Sequence, residues 1–255
     1  MKLFELFADV EKYLSKKGRI LIGYSGGLDS TVLLTLASEY FTSKKVLAVH
    51  INHGLSPNAE NWQSFVVAYC KFLSVDYSVQ RVEIIESANQ EAMAREARFG
   101  VFSKLLKKGD ALLLGHHLDD QIETVIYRLL RGSGNQGLSG IPFDRKLREG
   151  RLFRPFLTLT RTCIYEIAKA RGLNWIEDET NKEDRFDRNY LRNCVIPHIS
   201  ARWPSYRKRI KKTIKLSKDG EVLAQSIFKS DLDKLDLQDE RGGLSINLEK
   251  LKTLI

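Results

Sequence analysis

The stretch IleLeuIleGlyTyrSerGlyGlyLeuAspSer at residues 20–30 decides how the rest of the chain is read. Ile20–Ile22 is a short apolar run of the kind that fills a buried parallel strand. It ends at Ser25, Gly26 and Gly27, after which Leu33, Leu36, Ala37 and Tyr40 recur at helical spacing. Strand, glycine turn and helix N-terminus in that order make a phosphate site. The glycines let the backbone approach closely, the first-turn N–H groups point outward, and the helix dipole favours an anion. Ser25 and Ser30 add hydroxyl donors. The stretch is neither a Walker A loop, which needs a lysine before Ser or Thr, nor a Gly-x-Gly-x-x-Gly fingerprint. Asp29 stands where phosphate charge would gather. Either a Mg²⁺ ion bridges it to a nucleotide, or it is an acid favoured by the helix dipole. The residue alone does not choose.

Ser-Gly-Gly-x-Asp-Ser at 25–30 resembles the signature loop of the PP-loop ATP pyrophosphatases, which cut ATP between the α and β phosphates and adenylate an acceptor oxygen.

Outward from this loop the chain alternates strands and helices. Val46–Ile51 reads as a second buried strand running into His50, Asn52, His53 and Gly54, a place where open α/β sheets collect ligands. Two histidines three apart with no third ligand nearby make a poor metal site. Pro57 marks a helix start, with Trp62, Phe65, Val66, Tyr69 and Leu73 as its core stripe, and Tyr77–Val82 alternates like a strand. Glu91–Lys107 is helical, with Ala94, Ala97, Val101 and Leu105 inward. Arg95 and Arg98, three apart, form either a phosphate clamp or a solvated face. Ala111–Gly115 is a strand that ends in His116, His117, Leu118, Asp119 and Asp120. A helix opens there with Ile122, Val125, Ile126 and Leu129 inward. Asp119 and Glu123 share a face of its first turn beside Asp120, and three carboxylates with two histidines exceed what helix capping needs. They would hold Mg²⁺, orient an amine or take its proton.

Four glycines between Gly132 and Gly140 follow Arg131 and precede Ile141, making a loop rich in N–H groups. Residues 144–151 read as an exposed hairpin, Leu152–Leu157 as a short edge segment, and Thr160–Arg171 as a helix closed by Gly172. From Arg202 to Lys218, basic residues including Arg207, Lys208, Arg209, Lys211 and Lys212 crowd together with Trp203 and Tyr206 between them. This is a solvated helix face or an RNA contact, and the interleaved aromatics favour RNA. Glu221–Ile255 keeps helical periodicity. The expected architecture is a doubly wound parallel sheet over residues 1–215 followed by a helical C-terminal segment, 216–255, which is the start of a C-terminal domain, whole or truncated.

The bulk properties agree with a soluble globular protein. The 255 residues suffice for a full core, 43% hydrophobic and 29% charged residues are globular values, and no apolar run reaches membrane length. Leu3, Leu6, Phe7, Val10 and Leu14, mixed with acids, form an amphipathic helix and not a signal peptide. Cys70, Cys163 and Cys194 form no disulfide framework, which places the chain in the cytoplasm. A net charge of +9 points to a polyanionic partner.

The motifs together resemble the tRNA(Ile)-lysidine synthetase family: the loop at Ser25–Ser30, His50–Leu55, the paired arginines in Ala94–Phe99, His116–Thr124, Arg131–Gly140, Trp175–Asn181 and Arg188–Arg192. They span about residues 20–197. The resemblance implies a sheet of the adenine-nucleotide α-hydrolase type, ATP and Mg²⁺ as cofactors, free L-lysine and an isoleucine tRNA with a CAU anticodon as substrates, and conversion of its wobble cytidine to lysidine. Ser25, Gly26, Gly27, Leu28, Asp29, Ser30, His50, Asn52 and His53 would bind ATP, and Asp29 and Asp120 the metal. Arg95, Arg98 and Arg192 would answer charge on the α-phosphate; Asp119, Asp120 or Glu123 would serve the amine; Arg131 and the basic run would hold RNA. A homodimer is one assembly open to it. A tRNA thiolase, an amide-forming synthetase and a non-catalytic RNA-binding module are the rival readings. Scattered cysteines weigh against the first, and the lack of a glutaminase-like region against the second.

Overall fold

The computed structural model describes residues 3–54, 56–82, 90–179, 183, 184, 186–235, 238–240, 243–246 and 248–252. Leu55, Thr180 and Asn181 of the motifs above lie outside the described residues. A 3₁₀ turn, Leu3–Phe7, leads into α1 (Ala8–Tyr13). Then follow β1 (Ile20–Gly23), α2 (Leu28–Phe41), β2 (Val46–Asn52), α3 (Ala59–Phe72), β3 (Asp76–Arg81), α4 (Gln90–Leu105), β4 (Ala111–Leu113) and α5 (Leu118–Leu130). After α6 (Asn135–Leu138) come β5 (Asp144–Leu147), β6 (Gly150–Phe153), α7 (Arg161–Ala170), α8 (Asp187–Tyr190), α9 (Ile196–Arg202) and α10 (Tyr206–Lys234). The described C-terminal residues form a hairpin, β7 (Gln238–Glu240) with β8 (Gly243–Ser245), and α11 (Leu248–Lys252).

Two compact units interleave along the sequence: residues 1–121 with 142–189, and residues 122–141 with 190–255. The first contains the six-stranded sheet, in the order β3-β2-β1-β4-β6-β5. All its strands run parallel except β5, which is antiparallel to β6. Because alternate residues of a strand face opposite sides, Ile20 and Ile22 of β1 join one core with α1, α2 and α7, while Leu21 joins the other with Phe102 and Leu106. From β1 the chain winds outward through β2 to β3, then returns to lay β4 on the other side of β1. The C-terminal ends of β1 and β4 therefore flank the point where strand order reverses, where such sheets bind ligands.

Several local expectations change. Leu152–Leu157 is not an edge segment, since β6 pairs with β4 on one side and β5 on the other, and β5 takes the edge. Leu129 is 58% exposed where the periodicity places it inward. Part of the stretch 221–255 is hairpin, because a helical period in its apolar residues does not exclude a short pair of strands. The parallel sheet of the expected architecture is otherwise as read, and α10 runs unbroken through position 215.

Candidate active site

The glycine turn is shaped before any ligand arrives. Gly26 has φ +85°, a conformation that costs an L side chain dearly, and a Cβ there would meet Ile176 Cδ1 at 2.5 Å. Ile176 N–H donates to Gly26 O at 2.9 Å, and Gly27 and Ile176 form a parallel bridge. The segment after α7 thus clips the turn from one side. From the other, Thr31 Oγ1 donates to Gly26 O at 3.1 Å and Thr31 N to Gly27 O at 2.9 Å. Ser30 Oγ donates to Gly27 O at 3.0 Å and lies 3.1 Å from Ser25 Oγ, which accepts from Gly27 N–H at 3.3 Å. The turn is fixed on both flanks, and its hydroxyls line it. Leu28 opens α2 and is buried.

Across from this turn stands the end of β4. Gly115 allows the approach: a Cβ on it would lie 3.2 Å from the carbonyl carbon and oxygen of Asp29. His117, 3% exposed, sits between two carboxylates, Nε2 3.8 Å from Asp29 Oδ1 and Nδ1 3.6 Å from Asp120 Oδ2. Its Nδ1 accepts from Asp120 N–H at 3.3 Å while its own backbone N–H donates to Asp120 Oδ2 at 2.9 Å. With Nδ1 an acceptor, the ring N–H is Nε2, on the side of Asp29. Among the described residues no three His, Cys, Asp or Glu side chains gather as a metal cage. Asp29 and Asp120 supply carboxylate oxygens, the donor type Mg²⁺ takes, on either side of the His117 ring.

The other predicted residues of this unit divide into two groups. Arg98 acts electrostatically on both His53 and His116, and Arg95 on His116, so the paired arginines belong with the histidines after β2 and β4. Burial holds His50 and His53 below the usual imidazole range, with Arg98 and then His50 adding to the effect on His53. His50 Nδ1 lies 3.0 Å from Tyr24 O, which makes it the donor and ties β2 to the root of the glycine turn. His53 Nδ1 is buried without a hydrogen-bond partner among the described residues. The remaining residues have structural partners. Asn52 accepts from Gly54 N–H at 2.9 Å and donates to Gln63 at 3.2 Å, holding the loop after β2. Asp119 Oδ2 accepts from Arg161 N–H at 2.8 Å, at the start of α7.

Arg154 was not singled out by sequence reasoning. It is 2% exposed, donates from Nη1 to Pro142 O at 2.7 Å and lies with Nε 3.3 Å from His116 Nδ1. A lone arginine inside the apolar run Leu152–Leu157 was the signal available.

In the second unit, Glu123, 2% exposed, pairs with Arg192 through two hydrogen bonds. Arg192 is carried by a π-turn, Leu191–Val195, a distortion that recurs at functional sites. Arg128 Nη1 donates to Gly137 O and Gly140 O, closing the glycine-rich loop. Asn135 donates to Ser217 O at 3.3 Å, and Gly220 lies against it, so this loop rests on α10. Arg131 folds over Tyr127, Arg207 lies over Tyr206, and Lys208, Arg209, Lys211 and Lys212 are exposed. Tyr206 itself is buried, so of the two interleaved aromatics only Trp203, 51% exposed, is available for stacking.

The sequence profile of the PP-loop domain family matches residues 1–199. The chain belongs to that family. Among similar curated proteins, the tRNA(Ile)-lysidine synthase of Legionella pneumophila (strain Paris) is 47% identical over 187 residues, covering 73% of this chain and 43% of its own. That of Vibrio atlanticus (strain LGP32) is 39% identical over 235 residues, covering 90% and 52%. The chain therefore spans about half the length of the curated relatives it matches. Among solved structures, the U34-tRNA thiolase NcsA from Methanococcus maripaludis superposes with a TM-score of 0.63 at 17% identity, covering 84% of this chain and 79% of its own. This PP-loop chain shares that fold. No helix among its described residues is long and apolar enough to cross a membrane.

Proposed function

We propose that this PP-loop chain ligates free L-lysine to the wobble cytidine of an isoleucine tRNA with a CAU anticodon, consuming ATP and giving lysidine, AMP and pyrophosphate. The observation that carries the reading is the juxtaposition of the clipped glycine turn with Asp29, His117 and Asp120 where strand order reverses. The Legionella and Vibrio lysidine synthases name the acceptor chemistry of chains similar to this one.

In the first step the C2 oxygen of the cytidine attacks the α-phosphorus, the bond to the β-phosphate oxygen breaks, and pyrophosphate leaves. In the second, the ε-amine of lysine attacks C2, AMP leaves, and the amine proton passes to a carboxylate. The turn amides with Ser25 and Ser30 hold the triphosphate. Asp29 and Asp120 hold Mg²⁺, which when bound offsets phosphate charge as a Lewis acid. Arg95 and Arg98, with Arg192 as a third cation, answer the charge that grows on the α-phosphate. The acids of α5 (Asp119, Asp120 and Glu123) are the acceptors for the amine proton; Asp119 is held by Arg161 N–H through one oxygen, Asp120 by His117 N–H, and Glu123 by Arg192 through both. Arg131, Arg207, Lys208, Arg209, Lys211 and Lys212 hold the tRNA backbone. Residues 1–215 act as the catalytic part and 216–255 as the start of a tRNA-binding region, in the cytoplasm, with a homodimer as the assembly to test by light scattering.

A thiolase reading finds no support in the cysteines. Cys70 is buried, and burial pushes its thiol up to about 12, far from a reactive thiolate.

The decisive assay incubates the full chain with ATP, Mg²⁺, lysine and transcribed tRNA. AMP should form only when both tRNA and lysine are present, and nuclease digests should contain cytidine carrying an added lysine. AMP formation indifferent to either substrate, or none at all, overturns the proposal.

A further inference from the structure

Arg154 poses a physical problem that the reaction outlined above does not explain. A guanidinium that is 2% exposed has been taken out of water, and such a cation is normally retained beside a carboxylate. Among the described residues its partners are neutral: the Pro142 carbonyl and the His116 ring. The neighbouring charges that act on it, Arg145 and then Arg95, are also positive. Burial lowers it to about 10, so it still carries its proton at neutral pH.

The contact with His116 fixes a second feature. Arginine has only donors, so the His116 Nδ1 that faces Arg154 Nε is an acceptor and bears no hydrogen. The ring is held neutral by burial; Asp120 opposes this, while Arg154, Arg98 and Arg95 reinforce it. The one proton of the ring is consequently on Nε2. His116 follows Gly115, whose Cα packs on the Asp29 backbone, so the ring hangs one residue from the helix end that would take phosphate. Of the two histidines after β4, His117 is committed to Asp29 and Asp120, whereas His116 has its hydrogen-bonded side turned to Arg154.

We infer that Arg154 is a positioning residue that holds His116 as a neutral Nε2–H donor to the phosphoryl oxygens of ATP during adenylation. The inference rests on the reading of the site given under the proposed function. A neutral imidazole donor fixed in advance stabilises charge that develops on the phosphoryl group without first being reorganised. The buried guanidinium selects the tautomer and meets the incoming anion with a compensating charge. The same fork also holds the Pro142 carbonyl.

The test combines kinetics and nitrogen NMR on the full chain. Pyrophosphate release with tRNA and without lysine isolates adenylation. Arg154→Lys keeps the buried charge but cannot serve Pro142 and His116 with one planar fork, and it should lower this rate about 10²-fold with ATP and lysine KM values within about threefold. His116→Gln, which sets an N–H near the Nε2 position, should retain more of the rate than His116→Asn, which does not. In the His116→Asn background, Arg154→Lys should cost nothing further, because the two act as one unit. The chain has five histidines, few enough to resolve by ring ¹⁵N shifts. His116 should show the Nε2–H form in the unsubstituted chain and gain the Nδ1–H form in Arg154→Lys. Additive losses in the double variant, an Nδ1–H ring in the unsubstituted chain, or a loss confined to lysine KM each overturn the inference. An unsubstituted chain that makes no AMP sinks the proposed function instead, while the NMR result still reports on the pair.

Discussion

Arg192 holds Glu123 by two parallel hydrogen bonds, Nε to Oε1 at 2.7 Å and Nη2 to Oε2 at 2.8 Å. The Glu123 side chain is 3% exposed and the Arg192 side chain 33%. Removing the arginine strands a buried negative charge, whereas neutralising the acid leaves a cation that can reach water. Arg192→Ala should therefore cost about 2–4 kcal/mol, and Glu123→Gln clearly less. Urea unfolding of the two variants checks the order, and a larger loss in Glu123→Gln would contradict the assigned burial.

Asp29 contributes a carboxylate oxygen beside His117 and the first turn of α2. On the proposed reading Asp29 would hold Mg²⁺, and Asp29→Asn should abolish pyrophosphate release while tRNA binding on a nitrocellulose filter stays within about twofold. Unchanged turnover would remove Asp29 from the mechanism.

Gly115 and Asp29 touch through backbone atoms. Adding a methyl in Gly115→Ala, 3.2 Å from the Asp29 carbonyl, must push the helix end by a few tenths of an ångström. Turnover should fall about 10–100-fold because the catalytic geometry shifts, with the thermal midpoint changed by only a few degrees. A fully active variant would show that the site tolerates this displacement.

Three histidines, His50, His53 and His116, are held below their usual range, each chiefly by burial. The unfolded chain therefore binds more protons than the folded one as pH drops below about 6.5. Stability is full above that value and declines beneath it. Urea midpoints at pH 7.5, 6.5 and 5.5 should descend in that order; a flat profile would mean that these rings titrate normally.

The exposed lysines of α10 make a prediction that depends on salt. Lys208→Glu with Lys211→Glu should weaken tRNA binding and reduce the slope of log affinity against log salt by roughly 2, leaving ATP affinity alone. An unchanged slope would place the tRNA elsewhere.

The strands nearest the site could be read from the sequence because their signals are local. Apolar runs such as Ile20–Ile22 and Val46–Ile51 are short, uninterrupted and bounded by turn residues, and the glycine turn carries its own chemistry. The placement of β6 inside the sheet was hidden, since Arg154 and Pro155 look like edge residues and only the return of β5 supplies the missing neighbour. Leu129 follows the helical period yet is exposed, because periodicity says which residues share a face and not whether anything covers it. Among the site residues, His116 to Asp120 are adjacent in sequence and were seen together. Arg154 and Ile176 reach the site only through the fold. Asp119 looked like its neighbours Asp120 and Glu123, and its hydrogen bond to Arg161, some forty residues on, has no local trace.

The clip between Ile176 and Gly26 joins positions roughly 150 residues apart. A ribosome adding about 5–20 residues per second needs about 8–30 seconds to go from one to the other. During that interval the nascent chain displays its glycine turn with one flank missing. Competence to hold a nucleotide should thus arise late in synthesis, and chains arrested before residue 176 should bind ATP poorly, even though every residue of the turn left the exit tunnel long before.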